Sequence, residues 1–91
     1  MRMQDIDFTN RHPATRHLAR LFSFEQLPLG PLRDRSALVG SLAAQMIYEL
    51  PDGPELSEGL RKLLEAKDCF VRAEVYRLDP TGEFAWPTED R

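Results

Sequence analysis

Cysteine is nearly absent: Cys69 is the only one in 91 residues. That excludes an intramolecular disulfide and suits a reducing compartment. Histidine is almost as scarce. His12 and His17 stand five residues apart, on different faces of any helix, and no cysteine or acid joins them at a metal-ligand spacing. A metal site is therefore not expected. No run approaches the roughly 20 apolar residues of a membrane span. The opening MRMQDIDF carries acids and no apolar stretch, which predicts no secretory signal and a cytosolic protein. Neither a GxxxxGK[ST] nor a GxGxxG pattern occurs, so the five glycines are left for turns and close packing.

Basic excess is also lacking. The net charge is −3, but it is unevenly spread. Residues 1–35 hold six arginines against Asp5, Asp7, Glu25 and Asp34, a balance of +2, whereas residues 36–91 hold six bases against eleven acids, a balance of −5. No dense basic stripe marks a duplex nucleic-acid binder. The weak positive charge of the first segment suits a small anion or an acidic neighbouring subunit, or is simply solvated.

Catalytic groupings are missing as well. Cys69 has Asp68 beside it and no histidine anywhere after His17, so nothing marks an activated thiolate. Between apolar neighbours on a helix, it is expected in the core. Glu65 and Asp68 share a helical face but are bracketed by Arg61, Lys62 and Arg72, as on a solvated helix surface. The residues predict no enzyme and no cofactor.

What is present is helical periodicity. Apolar residues make up 42% of the chain and charged residues 30%, a globular balance, yet so short a chain buries only about 60 to 65% of its unfolded surface. Residues 1–11 show no apolar period and read as a flexible arm. In HPATRHLARLF, Leu18, Leu21 and Phe22 share a face, predicting a short helix from Pro13 to Phe22. Pro28, Gly30 and Pro31 then turn the chain.

From Leu32 to Leu50, residues Leu32, Leu38, Val39, Leu42, Ala43, Met46, Ile47 and Leu50 recur at intervals of three and four. Ser36, Gly40 and Ala44 form a second row, small enough for another backbone to come close. A helix apolar almost all round needs cover on several sides, more than one partner helix can give. An intermolecular interface along it is therefore expected.

LPDGPE ends this helix and starts the next. Pro51 stops the first, Asp52 and Gly53 turn the chain, and Pro54 sits in the first turn of the second. Asp52 and Glu55 have capping-box spacing, with the Asp52 carboxylate expected to accept from an amide three residues on. So short a connection makes the two helices antiparallel. The second helix carries Leu56, Leu60, Leu63, Leu64, Phe70, Val71, Val75 and Leu78 on its expected buried stripe, with Glu58–Lys62 and Asp68–Arg72 as surface i, i+4 pairs. Lys67 interrupts that stripe, either snorkelling from its edge or making a charge contact across a subunit boundary. Residues 79–91 follow as a tail whose Phe84 and Trp86 either dock or stay loose.

The fold class expected is thus all-α, an antiparallel helical hairpin preceded by a short N-terminal helix and assembling into a homo-oligomer, with the domain over residues 12–78. Phe22 and Phe24, with Arg16, Arg20, Arg33 and Arg35, gather stacking surfaces and guanidinium donors near one bend, as a nucleotide's base and phosphate require. The plainer reading is that the phenylalanines plug the open end of the hairpin.

PDGPELSEGLRKLLEAKDCFVRAEV, together with HP at 12–13, FSFEQLP at 22–28 and SLAAQMIYELP at 41–51, resembles a group of small actinobacteriophage proteins. These in turn resemble the helix-hairpin domain of the phage anti-CBASS and anti-Thoeris sponges, which sequester cyclic oligonucleotide signals. The resemblance covers about residues 12–75. It implies a non-catalytic homo-oligomer, hexameric in the sponges, working in the host cytoplasm with pockets for cyclic di- or trinucleotides between protomers. It also implies a base stacked on an aromatic ring before the first hairpin helix, which is Phe24 or Phe22 here, and an arginine that falls within one position of Arg61; Arg33 and Arg35, from the aromatic and arginine cluster at the bend, are the other phosphate candidates. The sponges carry a lysine late in that helix; here the corresponding stretch is SALVGSL, without one. The threonine that partners the arginine aligned near Arg61 is also unmatched. An interaction protein that keeps the hairpin but not the pocket is the alternative.

Overall fold

The computed structural model describes residues 1–79 and Thr81, and among them the chain is all-helical. A single 3₁₀ turn, Met3–Asp5, is followed by α1 (Pro13–Arg20), α2 (Pro31–Glu49) and α3 (Pro54–Leu78). No strand occurs among the described residues. Phe84 and Trp86 lie outside them.

Each α-helix begins on a proline, whose fixed φ suits the first turn and whose missing N–H would have had no partner there. Before α1, the Nδ1 of His12 accepts from the amide of Ala14 at 3.0 Å. Ahead of α2 and α3 the N-caps are Gly30 and Gly53, at φ of +142° and +153°. Only glycine adopts such angles without strain. α1 ends at Arg20, two residues short of the Phe22 expected, and Leu21 and Phe22 continue as a tight turn bonded back to Leu18 and Ala19.

The core is Leu18, Ala19 and Phe22 from the α1 region, Val39, Ala43 and Ile47 from α2, and Leu56 and Leu60 from α3. α2 and α3 pack along each other, and α1 lies against both. Where the sequence suggested an arm, residues 1–11 lay Met3, Ile6 and Phe8 on this core. The apolar side chains there lack a period because they follow a turn, not a helix.

Three expectations about covered faces are corrected. First, the small row on α2 is filled from within the chain: a Cβ on Gly40 would stand 3.3 Å from the Phe22 carbonyl oxygen and 3.7 Å from the Phe24 ring. Ser36, Gly40 and Ala44 are all buried within the chain, and at Gly40 the row receives the chain's own turn. Second, Cys69 is exposed, its sulfur 3.4 Å from an Arg72 nitrogen. Third, Phe70, Val75 and Leu78, assigned to the buried stripe of α3, are exposed, Phe70 at 55%; Leu38, Leu42 and Leu50 of α2 are exposed too, Leu38 at 63%, as apolar surface that α3 leaves uncovered. The molecule measures 48 × 28 × 17 Å, too thin to wrap two long helices on all sides.

Asp52 does not cap α3. Its carboxylate instead accepts from Arg11 Nε (3.0 Å), from the backbone amide of His12 (3.0 Å) and from the Thr15 hydroxyl (2.7 Å). Three donors from the start of α1 outcompete one free amide of its own helix. These bonds, that of Thr15 first, hold the Asp52 carboxyl below the usual carboxylate range. Arg11 also donates to the carbonyls of Ile47 and Leu50, placing a cation on the negative end of the α2 dipole. Lys67 performs the same service for α1, donating to the Leu21 carbonyl at 3.0 Å. Of the two surface pairs expected on α3, Glu58–Lys62 forms at 3.3 Å, while Arg72 turns to Cys69.

Candidate functional site

The two aromatic candidates part company in the fold. Phe22 is 1% exposed and occupies the core, with Lys67 Nζ 5.9 Å from its ring centroid. It offers no face to a ligand. Phe24 lies two residues on, past the tight turn, and remains half-buried with the Arg33 guanidinium 5.6 Å from its centroid. The turn is held by Glu25, whose carboxylate accepts from the Ser23 hydroxyl (2.9 Å) and the Phe24 amide (3.1 Å). Backbone and hydroxyl donors in its own turn, with Arg33 nearby, keep Glu25 ionised below its ordinary range.

The arginines are scattered. Arg33 joins Phe24. Arg35 Nε instead donates to Glu74 at 2.8 Å, and Arg77 Nε donates to the other oxygen of the same carboxylate. Glu74 is 4% exposed, and the Arg77 bond, then that of Arg35, outweighs burial in lowering its pKa. Arg61 pairs with Glu58 on α3 and lines a shallow hollow with His12 and Pro54 near the start of that helix. The structure thus unites Phe24 with Arg33 and places Arg35 and Arg61 elsewhere.

Glu74 was not anticipated from sequence. The available signal was an acid four residues after Phe70 and four before Leu78, on the apolar stripe of α3, where an unpaired charge would be costly.

Between α2 and α3 runs an open apolar groove of two adjoining hollows, of about 490 and 610 Å³, that share Leu42 and Leu63. One end holds Leu38, Phe70, Arg35, Glu74 and Arg77. The other holds Met46, Leu50, Leu56, Asp52 and Glu55. Two arginines stand against one glutamate at the first end; at the second the acids are Glu55 and Asp52, the latter paired with Arg11.

Among the described residues no group of three or more metal-ligating side chains comes together. No helix there is long and apolar enough to cross a membrane. No protein-family model, curated protein or solved structure matches the chain.

Proposed function

We propose that the α2–α3 pair is an antiparallel hairpin subunit of a homo-oligomer, and that the assembled protein captures a cyclic di- or trinucleotide immune signal without cleaving it. The observation carrying the ligand is the Phe24–Arg33 pair, a half-open ring and a guanidinium with no ion-pair carboxylate among the described residues, set on the turn before α2. A base stacks on such a ring and a phosphate takes the guanidinium fork. One arginine is too few for a cyclic dinucleotide's two phosphates. A pocket completed by a second protomer supplies the rest.

Support for assembly comes from the groove. Exposed Leu38, Leu42, Leu50 and Phe70 form a contiguous apolar strip, of the kind that marks protein interfaces. A second copy laid antiparallel across it brings the Arg35/Arg77 end onto the partner's Asp52/Glu55 end, the self-complementary arrangement of a two-fold interface. The resemblance to actinobacteriophage proteins and, through them, to the sponges points the same way, toward a phage anti-defence protein in the host cytoplasm.

Sedimentation of the wild type at micromolar concentration is expected to give a multiple of the 10.5 kDa chain, and Leu42→Glu is expected to reduce it to the monomer. A monomeric wild type refutes assembly. Thermal shift against cyclic di- and trinucleotides tests the ligand: at one hundred times its dissociation constant, a true ligand stabilises by about 2.7 kcal/mol, and Phe24→Ala removes the effect. The hold of Glu74 on Arg35 favours a second reading, an oligomeric phage protein that contacts a protein partner and has lost the nucleotide pocket. No shift with any nucleotide selects that reading.

A further inference from the structure

A hollow of about 320 Å³, sharing no lining residue with the groove, lies between α1, the N-terminal segment and the Ser23–Glu25 turn; its lining includes Met3, Phe8, Arg16, Arg20 and Glu25 but not Phe24. Arg16 and Arg20 stand one helical turn apart, so their guanidinium groups share a face. Like charges at that spacing repel, and neither arginine has an ion-pair partner among the described residues, whereas Arg2, Arg11, Arg35, Arg61 and Arg77 each have one. The carboxylate in the lining, Glu25, bonds to the Ser23 hydroxyl and the Phe24 amide and makes no ion pair with either arginine; it offsets part of their charge and leaves the hollow net positive. The half-buried side chains of Met3 and Phe8 line the same hollow.

We infer that this hollow is a binding site for a small organic anion with a flat apolar part, of the chemical class of a nucleoside monophosphate. The phosphate bridges Arg16 and Arg20, replacing their repulsion with two charge-assisted forks, and the base lies against Phe8 and Met3. The volume is at the lower end for ligand pockets, so it takes one nucleotide and not a strand. All its walls come from one protomer. The site therefore needs neither self-association nor the Phe24 pair, and it stands or falls apart from them.

The test is an amide-resolved NMR titration with AMP, adenosine and inorganic phosphate as separate probes. AMP is expected to shift amides in residues 3–8 and 16–25 saturably, and to bind about tenfold more tightly than either adenosine or phosphate, because each offers half of the recognition. Arg16→Gln and Arg20→Gln, both on exposed side chains, are each expected to weaken AMP about tenfold without changing the melting temperature. Phe8→Leu is expected to weaken AMP and leave phosphate alone unchanged, while Phe24→Ala changes neither. Absence of shifts at about 10 mM AMP, or shifts indifferent to the arginine substitutions, overturns the site. Phosphate binding as tightly as AMP overturns the apolar half of it.

Discussion

Phe22 and Phe24 are near neighbours of the same type, and the fold gives them opposite fates, which makes their truncation a sharp test. Phe22→Ala empties a position that is 1% exposed and enclosed by core residues of all three helices. The Phe22 carbonyl already approaches Gly40 closely, so the backbone cannot sink into the space. Loss of transfer energy and the cavity left behind together cost about 3 to 5 kcal/mol. A chain of this size has about 5 to 14 kcal/mol to lose, so roughly a fifth or more of its stability goes. In urea, where the slope is about 1 to 3 kcal/mol per molar, the unfolding midpoint drops by about 2 M at unchanged slope. Phe24→Ala removes a ring that is open on one side and is expected to cost about 1 kcal/mol or less. Both variants are followed by far-UV circular dichroism at two protein concentrations, which separates the fold's own loss from any loss of association. A Phe22→Ala midpoint close to wild type, or a greater cost at Phe24, would refute the assignment of Phe22 to the core and leave it free to stack on a ligand.

Acid dependence follows from Asp52 and Glu74, whose folded pKa values both lie below their ordinary ones. A depressed carboxyl contributes stability above its unfolded pKa of about 4 and loses that contribution as pH falls through the lower folded value. Melting temperature is therefore expected to hold from neutral pH to about pH 5 and to fall below about pH 4, with a shallower acid limb in Asp52→Asn; an identical limb would contradict the Arg11–Thr15 clasp. Gly59 lies inside α3 with open space where a Cβ would stand, so Gly59→Ala is expected to stabilise the monomer by about 0.5 to 1 kcal/mol in urea. Because Gly59 also lines the groove, the same change is expected to weaken association measured by sedimentation.

The helices were legible because their signals are local. Pro13 and Pro54 mark two of the starts, Gly30 and Gly53 mark turns, and Pro31, read as part of its turn, is the first residue of α2. Periodicity over Leu32–Leu50 and Leu56–Leu78 marks what lies between. Site residues were less legible. Periodicity put Phe22 on the apolar face of α1 and left Phe24 beyond the helix, yet both stayed candidates for stacking; the turn at Leu21–Ser23 sends one ring inward and leaves the other beside Arg33. Arg35 looked available until Glu74, 39 residues later, was brought beside it.

By itself, then, the sequence determined that the described residues are all-helical, where each helix begins to within a residue, and that the helices carry more apolar surface than a thin core can take. Those properties depend on dihedral preferences and on spacing within one element. Tertiary structure decided which of the apolar faces is covered. It turned the small row of α2 toward the chain's own Phe22–Phe24 turn, left Leu38, Leu42 and Phe70 bare, exposed Cys69, and drew Asp52 away from its helix to Arg11, 41 residues earlier. A helical pattern orients side chains relative to their own axis, but cover and pairing depend on where other segments come to rest.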